Sequence, residues 1–242
     1  DLSAFQWILS CGITGKGVLG YDEAQTGESF IKIGVGRLVR DDEKYRFSHH
    51  YPIDRLAEIT VSTPNKRTLV FEQGSRLDAW GYHYVKRYTV EPDAARLQIE
   101  YQITNTGAIA FPLEQYNHNW FVIGEAPVGE AYTLNSAFPF VIPDKEPEWF
   151  DYRNGRLSIN QTIERPSYFP SPATATASEN HLSAYVAGAG KITFSGDFPV
   201  ARFALFADQR AFCPEVFFAC ESLAPGQTVT WRRDYDFECA EL

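Results

Sequence analysis

Arg96-Leu97-Gln98-Ile99-Glu100-Tyr101-Gln102-Ile103-Thr104-Asn105-Thr106-Gly107 decides the fold class. Leu97, Ile99, Tyr101 and Ile103 alternate with Gln98, Glu100, Gln102 and Thr104. Successive side chains of a strand point to opposite faces, so this run buries one face and wets the other. Asn105-Thr106-Gly107 ends it as a turn. Val229, Trp231, Arg233, Tyr235 and Phe237 repeat the pattern after the turn Pro225-Gly226. Residues 57–63 and 67–71 flank Pro64-Asn65, which reads as a hairpin, and residues 85–90 and 96–104 flank Glu91-Pro92-Asp93. Residues 192–195 and 202–207 are further strand candidates. No stretch carries a helical apolar stripe with caps. The expectation is an all-β, antiparallel sandwich or barrel. With no internal repeat, low-complexity linker or charge block, residues 1–242 are expected to form a single domain. The Pro- and Ala-rich stretch 166–177 reads as a long surface loop.

Composition narrows the function. The chain has 242 residues, of which 44% are hydrophobic, with 18 Phe, 13 Tyr and 5 Trp, enough to fill a core. A formal charge of -9 argues against a nucleic-acid groove and against anionic membrane surfaces. No apolar run approaches the roughly 20 residues that span a bilayer. The expected partner is therefore a small molecule, with neither nucleic acid nor membrane. The sequence starts at Asp1 and holds no Met, which favours removal of leading residues and leans towards export. Cys11, Cys213, Cys220 and Cys239 are not spaced as a zinc ribbon or a redox pair, so they read as buried free thiols. Asn160-Gln161-Thr162 is a glycosylation sequon, meaningful only in a eukaryotic secretory chain. Gly12-Ile13-Thr14-Gly15-Lys16-Gly17 lacks the spacing of a phosphate loop and is set aside.

Chemistry concentrates in Glu114-Gln115-Tyr116-Asn117-His118-Asn119-Trp120-Phe121. Imidazole exchanges protons near neutral pH, amides bind hydroxyls, and aromatic faces suit the C–H side of a sugar ring. If the segment stood alone, a core histidine satisfied by backbone groups would be the better explanation of it.

It does not stand alone. Phe30-Ile31-Lys32-Ile33-Gly34-Val35-Gly36-Arg37-Leu38 is followed by Gly81-Tyr82-His83-Tyr84-Val85-Lys86, and then by the strand ending in Asn105-Thr106-Gly107. Tyr116-Asn117-His118-Asn119, Cys213-Pro214-Glu215 and Leu223-Ala224-Pro225-Gly226-Gln227 come next, with Trp231 and Tyr235. This order resembles the galactose mutarotase-like (aldose 1-epimerase) superfamily, and within it the epimerase-like proteins with a Tyr-Asn-His-Asn motif. The resemblance covers roughly residues 30–237. It implies a β-supersandwich, two large antiparallel sheets face to face with a sugar cleft on one concave side. It also implies aldose 1-epimerase activity, in which a histidine acts as acid on the ring oxygen and a carboxylate takes the anomeric proton, with no metal or organic cofactor. His118 matches the histidine. Glu215 and Glu221 compete for the carboxylate, and Glu215 is preferred because a turn after Cys213-Pro214 can project it into a cleft.

Substrate contacts are expected from Asn117, Arg76, His83 and Lys86. The histidine-glycine-glycine segment of the enzymes is absent, and His49-His50 occupies roughly that region. Two other readings stay open: a carbohydrate-binding protein without turnover, and an eliminase resembling polysaccharide lyases. In the latter, Tyr116 or His118 would be the base and Arg76 or Lys86 would neutralise a uronate. A mutarotase needs His118 and a glutamate facing one sugar-sized gap.

Overall fold

The structure is a computed structural model that describes residues 5–6 (backbone only), 18–46, 49–144 and 149–240. Cys11 and the glycine-rich run 12–17 lie outside the described residues. The strands begin with β1 (Phe5–Gln6), β2 (Val18–Leu19), β3 (Ser29–Lys32), β4 (Gly36–Val39), β5 (Ile53–Leu56), β6 (Ile59–Asn65) and β7 (Thr68–Leu77). They continue as β8 (Trp80–Glu91), β9 (Arg96–Asn105), β10 (Phe111–Gln115), β11 (His118–Asn119), β12 (Tyr132–Ser136), β13 (Phe150–Arg153) and β14 (Arg156–Ile159). Last come β15 (Ser167–Ser171), β16 (His181–Val186), β17 (Gly190–Gly196), β18 (Arg202–Ala207), β19 (Phe212–Leu223) and β20 (Thr228–Cys239). The only helical elements among the described residues are the 3-10 turns Pro92–Ala94 and Ala177–Glu179. No helix of the described residues is long and apolar enough to cross a membrane.

Every ladder is antiparallel. A ten-stranded long sheet runs β13-β14-β12-β16-β17-β20-β9-β8-β7-β6, and a four-stranded short sheet runs β10-β19-β18-β15. A further sheet, β2-β3-β4-β5, carries its own mainly aromatic cluster, in which Leu38 packs with Tyr21, Phe30 and Tyr51. The alternation that marked β9 and β20 sets the layers. Tyr101 pairs with Trp231 and Ile103 with Val229, so both strands send the same rows of side chains inward. Tyr82 and Tyr84 of β8 extend these rows, and Leu113, Phe203, Leu205, Val216 and Phe218 of the short sheet close on them.

Trp231 joins the layers. Its ring lies parallel to Tyr101 at 5.1 Å within the long sheet and to Phe218 at 4.3 Å across the gap. Burying one such side chain contributes about 2–3 kcal/mol. The architecture is all-β and antiparallel, as the alternation predicts, and its two facing sheets are those of the supersandwich that the resemblance implies.

Three local readings need correction. The 57–71 hairpin exists, but its turn is Lys66-Arg67; Pro64 sits inside β6, at a register shift on the outermost strand. An edge strand there tolerates a residue without an N–H. Residues 167–171, expected in a loop, form the edge strand β15, with Ser167, Phe169 and Ser171 buried and Tyr168 and Pro170 turned out. Cys213-Pro214-Glu215 is not a turn but lies inside β19. Pro214 is tolerated because β10 leaves the ladder at the Gln115↔Phe218 pair, and Phe121 bridges Phe212 only beyond it.

Candidate functional site

The gap opposite Pro214 is filled by residues 116–120, and strand alternation divides this segment between two environments. Gln115, Asn117 and Asn119 turn into the space between the layers, each at most 2% exposed. Tyr101 Oη donates to Asn117 Oδ1 at 2.9 Å, and Asn117 Nδ2 donates to Tyr235 Oη at 2.7 Å. Tyr235 Oη in turn donates to Asn119 Oδ1 at 2.9 Å, and Asn119 Nδ2 reaches Pro214 O at 3.2 Å. Gln115 Oε1 accepts from Trp231 Nε1 at 2.9 Å and from Arg233 Nη2 at 3.0 Å. Burial lowers the pKa of the Arg233 guanidinium, which packs over the Phe198 ring at 4.6 Å.

His118 takes the opposite face. Val216 and Phe218 of β19 point into the core, so Cys213, Glu215 and Phe217 point out of it, as do Arg202, Ala204 and Phe206 of β18. On this outer face His118 Nδ1 lies 2.9 Å from Glu215 Oε1 and 2.6 Å from Cys213 Sγ. Cys213 Sγ is 3.7 Å from Glu215 Oε1. His118 keeps 17% of its side-chain surface exposed and Glu215 only 3%. Glu215 Oε2 is buried with no hydrogen-bond partner among the described residues, and so is Trp120 Nε1. Burial, reinforced by the Glu215 charge, pushes the Cys213 thiol well up.

Aromatic walls surround the cluster. Trp120 lies 4.8 Å and Phe206 5.8 Å from the His118 ring, and Tyr116 stacks on Phe217 at 4.5 Å. Burial, followed by the Glu215 charge, raises the Tyr116 phenol. Arg202 donates to Glu114 Oε1 at 2.6 Å and covers Phe217 at 3.6 Å, so this cation and this carboxylate neutralise each other.

The structure thus brings together His118 and Glu215. Glu221 is exposed further along β19. Asn117, expected to bind substrate, spends its amide between the layers. Arg76 and His83 project from the face of the long sheet opposite Tyr82 and Tyr84, where His83 Nε2 lies 3.5 Å from Glu72 Oε2. Lys86 Nζ sits 5.3 Å over the Tyr84 ring. His49 Nε2 pairs with Asp41 Oδ2 at 2.7 Å beside the N-terminal aromatic cluster.

A hollow of about 790 Å³ lies at the free end of the long sheet, lined by Leu69, Phe71, Tyr88, Val90 and Leu97. It has volume but no acid–base pair in its lining. Sequence reasoning missed Cys213 as a member of the site. Its spacing to Glu215 is the two-residue period of a strand, a signal masked by the intervening proline. Of the other two cysteines among the described residues, neither is buried like Cys213: Cys220 is half-buried and Cys239 exposed, both free thiols.

No family model matches the chain, and no curated protein does. Solved structures do. A galactose mutarotase-like protein from Lactobacillus casei ATCC 334 matches with a TM-score of 0.57 at 14% identity, over 74% of this chain and 73% of that one. The GalM/aldose epimerase homologue from C. elegans gives 0.56 at 14% identity, over 77% and 70%. A protein from Escherichia coli K12, provisionally named aldose 1-epimerase, gives 0.54 at 12% identity, over 89% and 80%. At these identities the likeness is one of fold.

Proposed function

We propose that this chain, which has the galactose mutarotase-like fold, interconverts the anomers of a free sugar on the outer face of its short sheet, with His118 and Glu215 moving the protons. The observation that carries this reading is the 2.9 Å contact between His118 Nδ1 and Glu215 Oε1, together with a second carboxylate oxygen left without a partner among the described residues.

The pair touches instead of facing across a gap, and the chemistry accommodates this. The two oxygens that exchange protons in a hemiacetal, the anomeric hydroxyl and the ring oxygen, are bonded to the same carbon. A contiguous acid and base can therefore serve both. As the sugar enters, the partly exposed His118 ring moves aside and uncovers the buried Glu215 carboxylate, which takes the anomeric proton while a His118 N–H protonates the ring oxygen, the C1–O bond of the ring breaks, and an open-chain aldehyde results. Rotation about C1–C2 and the reverse proton transfers close the ring on the other face. The hydrogen bond between the two side chains lets the pair share the surplus proton between half-reactions. General acid–base catalysis of this kind contributes about 10²–10⁴-fold per group. Trp120 and Phe206, both partly exposed, supply the apolar walls on which a sugar ring stacks.

Binding without turnover is the second reading, favoured by the absence of a gap between the pair. Anomer exchange followed by proton NMR on neutral and acidic sugars separates the two. The expected result is acceleration by the native protein and at least a hundredfold loss in His118→Asn. Ligand-induced shifts without acceleration establish the binding protein, and unsaturated products from uronate polymers establish the eliminase.

A further inference from the structure

A mutarotation pair needs no thiol, yet Cys213 Sγ reaches both of its members. We propose that His118, Cys213 and Glu215 form a binding site for a divalent cation of the zinc class. Their donor atoms all lie within 4.8 Å of one another. In a tetrahedral zinc site, with Zn–N near 2.0–2.1 Å and Zn–S near 2.3 Å, neighbouring donors stand about 3.3–3.6 Å apart. The sulfur–carboxylate separation of 3.7 Å already fits, whereas the imidazole must draw back by about 1 Å from the sulfur, now at 2.6 Å, and by about 0.4 Å from the carboxylate, now at 2.9 Å. The half-exposed end of the cluster is the His118 ring, the side chain best able to make that adjustment.

Three features favour the metal over a chance grouping. The unpartnered Glu215 Oε2 is a buried oxygen in want of a cation. Charge balances: the cation displaces one proton from the Cys213 thiol, the sulfur keeps the electron pair as thiolate, and thiolate plus carboxylate neutralise the two positive charges. The backbone on both sides is also held in place, since Asn119 Nδ2 bonds Pro214 O between two of the ligands, while Asn117 and Asn119 tie down both neighbours of His118. A sulfur, an imidazole and a carboxylate select zinc-like ions over magnesium or calcium. Three protein donors leave a fourth position for water or a sugar hydroxyl. Sequence spacing could not reveal the site, because the ligands lie on two segments far apart in the chain.

The metal site stands independently of anomer exchange. One consequence does rest on that reading: a bound cation occupies the lone pairs of the acid–base pair, so zinc inhibits exchange.

Cobalt(II) is the probe, added without sugar to full-length protein stripped by a chelator. The expected spectrum has thiolate-to-cobalt charge transfer in the near ultraviolet and intense four-coordinate visible bands. It should saturate at one equivalent and be displaced by zinc. Cys213→Ser should abolish the charge-transfer band with an unchanged circular dichroism spectrum, and His118→Asn should weaken binding at least tenfold. A Cys220→Ser/Cys239→Ser double variant should keep the band. No spectral change on the native protein, a band that survives Cys213→Ser, or one lost in the double variant overturns the site. Anomer exchange is measured separately in chelator, so loss of the metal site leaves the sugar reading standing and the reverse.

Discussion

Gln115, Asn117 and Asn119 on one side, and Tyr116, His118 and Trp120 on the other, come from one short stretch of chain and live in opposite conditions. The inward amides are almost fully spent: Asn117 alone engages Tyr101 and Tyr235, and Gln115 engages Trp231 and Arg233. The outward set keeps unmet demand, in Glu215 Oε2 and Trp120 Nε1, beside an imidazole that remains in part accessible. The inner side has an orphan too, Arg233 Nε, but that guanidinium donates through Nη2 to three oxygens and lies on an aromatic ring. A satisfied buried polar group holds structure, whereas an unsatisfied one at a rim is capacity for a ligand. The polar residues of one motif thus divide by face into scaffold and candidate site.

The largest expected effect breaks the scaffold half. Asn117→Ala removes the acceptor of Tyr101 Oη and the donor to Tyr235 Oη inside a dry layer, which should cost about 3 kcal/mol in urea unfolding. Metal and sugar responses of the folded fraction should weaken by less than about tenfold, because Asn119 still holds the other side of His118. A loss under about 1 kcal/mol would mean the amide network does not hold the layers together.

Glu215→Gln sharpens the contrast because its two effects have opposite signs. Neutralising a carboxylate that has an unpartnered oxygen removes a desolvation penalty, so stability should stay level or rise by about 1 kcal/mol. Anomer exchange should fall at least a hundredfold, since the amide cannot take a proton. If stability falls by several kcal/mol with exchange intact, Glu215 belongs to the scaffold, and the division by face fails at its central residue.

Much of this was legible beforehand, and the misses have physical causes. The strand period alone placed β9 and β20 and the inward rows that Trp231 joins. The ordered motifs pointed to the supersandwich, and His118 and Glu215 do lie together. What failed were the prolines. Pro170 and Pro214 made residues 167–171 and 213–215 read as loop and turn, because a missing N–H is tolerated in a strand only where no ladder partner needs it, and that depends on neighbours far away in sequence. For the same reason Cys213 and Glu215 were not seen to share a face. Asn117 was assigned to the sugar because the stretch carries amides on one parity and the histidine on the other, and nothing local says which parity faces the core. The sequence carried the period but not its phase.

The smallest expected effect tests where the site ends. Arg76 and His83 were expected to touch substrate, but alternation puts them on the outward face of the long sheet, with His83 at 3.5 Å from Glu72 on that exposed side. Ion pairs in such positions are screened by water and contribute little. Arg76→Ala and His83→Ala should therefore change stability by less than about 0.5 kcal/mol and exchange by less than about twofold. A large loss of exchange from either would carry the sugar to the other side of the long sheet. There it would be separated from His118 by the whole interlayer core, and His118 and Glu215 could no longer be the groups that move the protons.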